Sequence, residues 1–408
     1  MSKLTPFKTS YLSTHCFIRT GKKDVNQGDK SGIYPFFTCS KNYTYSNSFS
    51  FDTEALLVAG NGEVGNVQYF CGKFEAYQRT YVIDKFDLNV RYVYHFLRHH
   101  LKDRLSRTHA GSVIQFIKLS DLTKFELSYP ECGVEQAKLA QILDTLDTAI
   151  HETEAVIAKL KAVKQGLLHD LLTRGIDANG ELRPPQAEAP HLYKKSTLGW
   201  IPKEWDVRPL SDYTSSEITY GIVQAGPHVP TGVPYIRTGD MSGDCLIREG
   251  MLCTSRRIAS NYARSEVRTG DIVMAIRATV GKVLPVPSDL NGANLTQGTA
   301  KISPNEHTDG NFLLWAIRHS RAQQAIQLEI KGTTFAEITL GALRQVPVAA
   351  PVEINEQREI GQRLTAIDQQ LQSEQQYLAK AFAEKSGLMD DLLTGRVRVT
   401  LLLEGTIP

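Results

Sequence analysis

The chain has 408 residues, 46 Lys and Arg against 44 Asp and Glu, and 41% apolar residues. That length exceeds one core and fits two domains with connectors. No run nears the ~18 apolar residues of a membrane span, and the start, MSKLTPFKTS, lacks a signal-peptide core, so a cytoplasmic protein is expected. The six cysteines form no C-x-x-C and gather no histidines, which argues against a metal site and for a reduced compartment.

Residues 1–132 read as a first variable domain. GIYPFFT, ALLVAGN, NVQYF and TYVID are strand-like runs broken by Gly, Asn and Ser, and VRYVYHFLRHHLKDRL (90–105) has helical spacing. GNGEVG (60–65) matches G-x-G-x-x-G after an apolar run, with Asp84 downstream. A dinucleotide site needs a helix next, whereas NVQYFCGKF alternates, so a hairpin turn is expected. His95, His99 and His100 lack a paired carboxylate or third ligand and are read as surface or core residues.

Residues 133–175 predict one long helix. Leu139, Leu143, Leu146, Ile150, Thr153, Ile157, Leu160, Lys164, Leu167 and Leu171 alternate at steps of four and three, a coiled-coil seam. Residues 176–195, with three prolines and Asn-Gly, read as a linker.

Residues 196–352 read as a second variable domain. It opens with STLGWIPKEWDVRPL, continues through strands in VPYIRTGD, GDIVMAIRA, GKVLPV and GTAKIS, and carries one helix at NFLLWAIRHSRAQQAIQ. Residues 353–396 bring the second long helix, with Ile360, Leu364, Ile367, Leu371, Glu374, Leu378, Ala381, Lys385, Leu388 and Leu392 in its seam. A tail, 397–408, ends the chain.

The second helix repeats the first at an offset of 221. Glu135-Gln136 match Glu356-Gln357, Asp147 matches Asp368, and KQGLLHDLLTRG agrees with KSGLMDDLLTGR at seven of twelve positions. The match runs back without a gap through Pro130 and Pro351 to Gly111 and Gly332. The chain is an internal duplication of a variable domain followed by a long helix. Within the domains, VAGNGEVGNV aligns with MAIRATVGKV, YQRTYVI with TQGTAKI, and YPFFTCS with PYIRTGD, the offset drifting to 216 at Val64 and Val280 and 219 at Gln78 and Gln297.

Charge is uneven. Residues 1–132 hold 17 Lys and Arg against 12 acids, while 353–408 hold 6 against 9. Eleven of the 15 cations in 196–352 are arginines, the residue suited to guanine edges and phosphates. The candidate DNA-contacting residues are Lys22, Lys23, Lys41, Lys73 and Arg79 in the first domain. In the second they are Arg237, Arg256, Arg257, Arg264, Arg268, Arg277 and Gln297. No Walker A motif, methyltransferase tetrapeptide, nuclease constellation or activated Ser or Cys is recognisable, so no chemistry is expected in this chain.

The order domain–helix–domain–helix, with LGWIPKEWDVRPL, VEQAKLAQILDTLDTAI and KQGLLHDLLTRGID, resembles the specificity subunits of type I restriction-modification systems over essentially the whole chain. IRTGDMSG, GDIVMAIRATVGKV and TQGTAKI are similar to that family's target recognition domain; the first copy departs in lacking an equivalent of GWIPKEWDVRPL.

The resemblance implies an α+β fold with two β-rich α/β target recognition domains. Two long antiparallel coiled-coil helices separate them in a pseudo-two-fold arrangement. Each domain would read half of a split, asymmetric site on double-stranded DNA. The helices would set the gap and dock two methyltransferase subunits, with Leu167, Leu168, Leu171, Leu172, Leu388, Leu392 and Leu393 as candidate contacts. A restriction and translocase subunit would join. No cofactor is expected in this chain: S-adenosylmethionine belongs to the methyltransferase, ATP and Mg to the motor. The 33 residues from Leu139 to Leu171 span about 50 Å at ~1.5 Å each, more than a DNA turn of roughly 34–36 Å. The competing reading is a coiled-coil scaffold whose domains bind proteins or sugars.

Overall fold

The computed structural model describes residues 7–108, 116–332 and 336–402. The chain divides into two compact units, residues 1–155 with 375–408, and residues 156–374.

The first unit is built on a six-stranded sheet in the order Phe17–Thr20, Thr80–Asp84, Phe51–Ala59, Val67–Ala76, Tyr34–Phe37, Thr44–Ser46. All neighbours are antiparallel except Tyr34–Phe37 with Val67–Ala76. The run ALLVA in Phe51–Ala59 has no polar alternation because both faces of the sheet are covered. Leu56, Val58 and Ile83 face the helix Val90–Thr108 through Tyr92, Val93 and Leu97, whereas Ala55 and Leu57 face an aromatic cluster. The 60–65 motif joins two antiparallel strands, as expected of a hairpin, with Gly62 and Gly65 at positive φ.

A short sheet pairs Lys8–Tyr11 with Glu126–Tyr129. This corrects one expectation. Leu12 N donates to Phe125 O as Leu210 N donates to Val346 O, so KTSYL is the first copy's counterpart of DVRPL. In the second unit Trp205–Pro209 pairs with Pro347–Pro351 in the same way. The strand survives with unrelated side chains because its role is carried by backbone pairing.

The second unit has a four-stranded sheet, Thr219–Tyr220, Thr299–Ile302, Ile272–Ala275, Val283–Pro285, and a three-stranded one, Cys253–Thr254, Val233–Ile236, Asn294–Leu295. The single helix expected at NFLLWAIRHSRAQQAIQ is two, Gly310–Arg318 and Ser320–Leu328. His319 between them is extended, ψ 147°, and its ring caps the second by accepting from Arg321 N at 3.4 Å. Residues 176–195, read as a linker, are folded: Ile176, Ala189 and Tyr193 are buried, and Tyr193–Ser196 pairs with Gly199–Pro202.

The long helices run Gly133–Thr173 and Ile354–Leu393. Every seam residue is buried or half-buried. In the first unit Leu139 and Leu143 join a core with Leu392 and Leu393, so the helices are antiparallel there. The second unit shows the same order, with Leu171 and Leu172 beside Ile360 and Leu364. The two seam lysines are explained by pairing. Lys385 binds Asp147 in the first unit, and Lys164 binds Asp368 at 2.5 Å in the second.

The repeated Glu-Gln pair at each helix start is structural. Gln136 donates to Pro130 O and accepts from Asn89 N; Gln357 donates to Pro351 O and accepts from Asp309 N. Asn89 and Asp309 in turn hold Tyr92 N and Phe312 N at the start of each domain helix. Glu135 is clamped by Arg398, and Glu356 by Arg183.

Candidate nucleic-acid interface

Four loops meet at one end of the first unit's sheet. Gly60 N donates to Arg79 O at 3.0 Å, Glu63 N to Cys39 O at 3.0 Å, and Gln78 N to Lys23 O at 3.0 Å. These bonds bring Lys22, Lys23, Lys41 and Arg79 onto one loop cluster. Gly21 allows it: a Cβ there would fall inside the contact radius of Ala76 O. Lys73 stands apart, mid-strand opposite Asp52, its ammonium 4.8 Å from the Phe49 ring centroid.

The second unit rebuilds the same cluster with other side chains. Ile276 N donates to Gly298 O at 2.9 Å, Gln297 N to Ile222 O at 3.1 Å, and Thr238 Oγ1 to Gly298 O at 3.3 Å. Arg237, Arg277 and Gln297 therefore lie together, and Gly221 meets Leu295 O as Gly21 meets Ala76 O. Ala278 occupies Gly62's place in the turn with φ 62°, a conformation costing a non-glycine residue about 1 kcal/mol.

Not every candidate cation is available. Arg237 makes two bonds to Asp240, 2.8 and 3.1 Å, and this pairing raises its guanidinium pKa. Arg277 pairs with Glu337 at 2.9 Å. Lys23 donates to Ser46 and Ser48, both at 2.7 Å, and lies 3.7 Å from buried Glu75. Lys22, Lys41, Arg79, Arg264, Arg268 and Gln297 are exposed.

Arg256 and Arg257 open the exposed turn of a short helix, Arg256–Asn261, capped by Ser255. Behind that helix stands a residue the sequence did not single out. Buried Asn294 donates to Ala259 O and Tyr262 O and accepts from Ser265 Oγ at 2.5 Å. Its counterpart is Glu75, which accepts from Ser50 and from Ala76 N as Asn294 accepts from Leu295 N. The available signal was a polar residue inside an apolar strand.

Four partner-contact candidates are corrected. Leu171, Leu172, Leu392 and Leu393 are buried in the chain's own cores and offer no outer surface; Leu167, Leu168 and Leu388 pack partly against those cores. Two of the three histidines have carboxylate partners that the sequence did not reveal. His95 is buried against Asp144 at 2.8 Å, and His99 meets Asp390. Among the described residues no three His, Cys, Asp or Glu gather as a metal ion requires.

Ser10, His15 and Asp87 follow one another at 2.6 and 2.8 Å, in the sequence of contacts of a hydrolase triad. Ser10, however, lies in a paired strand with Tyr129 OH 3.4 Å away, and Asp87 is exposed. The contacts tie the Lys8–Tyr11 strand to the turn before the Val90–Thr108 helix.

The sequence model described as "Type I restriction modification DNA specificity domain" matches residues 8–162 and again 202–381. The chain belongs to this type I DNA specificity family. Both matched spans run from a variable domain into a long helix, so the family's unit is the repeat seen in the sequence. The EcoDI type I restriction enzyme specificity subunit of Escherichia coli is 28% identical over 417 aligned positions, covering 96% of this chain and 88% of that one. A putative type I restriction enzyme specificity subunit, MjaX, of Methanocaldococcus jannaschii is 26% identical over 314, covering 76% and 68%. The crystal structure of the type I restriction-modification S subunit from M. genitalium superposes with a TM-score of 0.66 at 16% identity, over 96% of this chain and 97% of that one. It shares the fold. No helix among the described residues is long and apolar enough to cross a membrane.

Proposed function

We propose that this chain is the DNA specificity subunit of a type I restriction-modification complex, with each variable domain reading one half of a split duplex target. The observation that carries this is the loop cluster built twice: one backbone frame, closed by equivalent hydrogen bonds, displays Lys22, Lys41 and Arg79 in one copy and Arg237, Arg277 and Gln297 in the other. A constant frame with changed side chains is what two different half-sites require. Phosphate contacts fall to the exposed lysines and arginines, and base reading to Arg256 or Arg257. The helices space the domains. The chain binds two methyltransferase subunits, which carry S-adenosylmethionine, and restriction subunits, which use ATP and Mg; it performs no catalysis alone.

The test is exchange. Replacing residues 196–352 with another family member's second domain should change one half of the methylated motif, read by methylome sequencing. A change in both halves, or a lack of salt-dependent duplex binding by the assembled complex, rejects the reading.

A further inference from the structure

Each unit's sheet has a second face, away from the domain helix. In the second unit the chain covers it. Residues 237–252, between Val233–Ile236 and Cys253–Thr254, send Met241, Leu246 and Met251 into a cluster with Val273, Leu284 and Leu295. In the first unit the matching connection is only residues 38–43, and the matching cluster is aromatic, with Phe37, Phe51, Phe70 and Phe74. It ends in the open. The Tyr43 ring lies 5.3 Å from Phe37 and 5.6 Å from Tyr45, yet Tyr43 stays 44% exposed and Tyr45 39%.

This edge continues the candidate interface. Ser40 O, three residues before Tyr43, accepts from Gln68 at 3.2 Å, and Cys39 O from the 60–66 turn. Lys41 is exposed beside it. Of the cations in residues 17–50, Lys22, Lys30 and Lys41 are exposed, whereas Arg19 pairs with Asp84 and Lys23 with Glu75. A fixed, half-exposed ring beside an exposed lysine suits a π-face attached to phosphates better than an aliphatic protein surface.

We propose that Tyr43, steadied by Phe37 and Tyr45, is a stacking platform for an unpaired nucleobase of the bound DNA; this rests on the DNA reading above. Both faces of a base in an undisturbed duplex are covered by its neighbours. The occupant is therefore a base freed by distortion, at a kinked step or opposite a nucleotide turned out of the helix. The second unit fills the corresponding space with its own residues 237–252, so the platform serves one half-site only.

The experiment uses the chain assembled with its methyltransferase partner and two pools of random 30-bp duplexes. One is fully paired; the other carries a single unpaired 5-iododeoxyuridine. The parent complex should prefer the second pool and crosslink to Tyr43 under ultraviolet light. Tyr43→Ala and the bulk-preserving Tyr43→Leu should each lose the preference by about tenfold, while Tyr43→Phe keeps it. If Tyr43→Leu retains preference and crosslinking moves elsewhere, the platform is overturned while fully paired binding leaves the DNA reading intact. If the parent complex binds neither pool, the DNA reading itself fails and the platform with it.

Discussion

Arg398 holds Glu135 through two bonds, Nε to Oε1 and Nη2 to Oε2, both 2.7 Å. An arginine just past the end of one long helix thus grips the first turn of the other. Arg183 repeats the grip on Glu356, whose Oε1 also accepts from Trp205 Nε1 and Ile176 N. Removing one partner of a buried pair strands the other, at a cost of about 3–5 kcal/mol. Glu135→Ala and Glu356→Ala should each destabilise by that order in urea unfolding, with Glu356→Ala the larger because more donors are orphaned. Losses under about 1 kcal/mol would mean the clamps are solvated.

Acid should weaken the fold before the carboxylates titrate. Burial holds the His95 imidazole below its ordinary pKa and lowers His100 and His319 to about 4. Unfolded imidazoles titrate near 6.5. Below that value the unfolded chain binds the more protons, so stability is complete above roughly pH 6.5 and falls as pH drops toward 4. The urea midpoint should be level from about pH 8 to 7 and decline between about 6.5 and 5. His319→Gln should flatten part of the decline, and a level profile in the parent contradicts the assignment.

The pairing of Arg277 with Glu337 gives a test of sign. Glu337→Gln releases the guanidinium, and if Arg277 meets phosphate, binding to every duplex should strengthen. Arg277→Ala should weaken all sequences alike and reduce the salt slope by about one. Alanine at a base-reading Arg256 or Arg257 should instead cost ~1–3 kcal/mol and relax preference at one position. Competition between target and scrambled duplexes across salt separates the two. If all three alanine variants bind like the parent, the DNA face lies elsewhere.

One heptad inserted after Leu146 and after Ile367 keeps both seams in phase and lengthens each helix by roughly 10 Å. The preferred gap should grow by about three base pairs at ~3.4 Å each, or binding should fail as the half-sites rotate. An unchanged motif at full activity shows that helix length does not set the gap.

The helices, the duplication and the 60–65 hairpin were legible because period and turn chemistry are local. The Lys8–Tyr11 strand was not, since KTSY shares only a backbone partner with DVRP. The repeated leucines misled for a related reason: in LLHDLLT and LMDDLLT both copies bury the last two leucines, Leu171 and Leu172 or Leu392 and Leu393, in their own cores. Nor did local sequence show that Arg277 is paired, as Glu337 lies sixty residues away.

Asp147–Lys385 and Lys164–Asp368 use the same two positions of the repeat with the helices exchanged. Each copy carries both halves of the lock. A domain acquired by recombination together with its own helix would meet its counterpart charges in any recipient retaining that Asp and Lys. The reading heads can then drift or be traded while the spine that joins them stays compatible, which separates the pace at which this protein gains new targets from the pace at which its assembly changes.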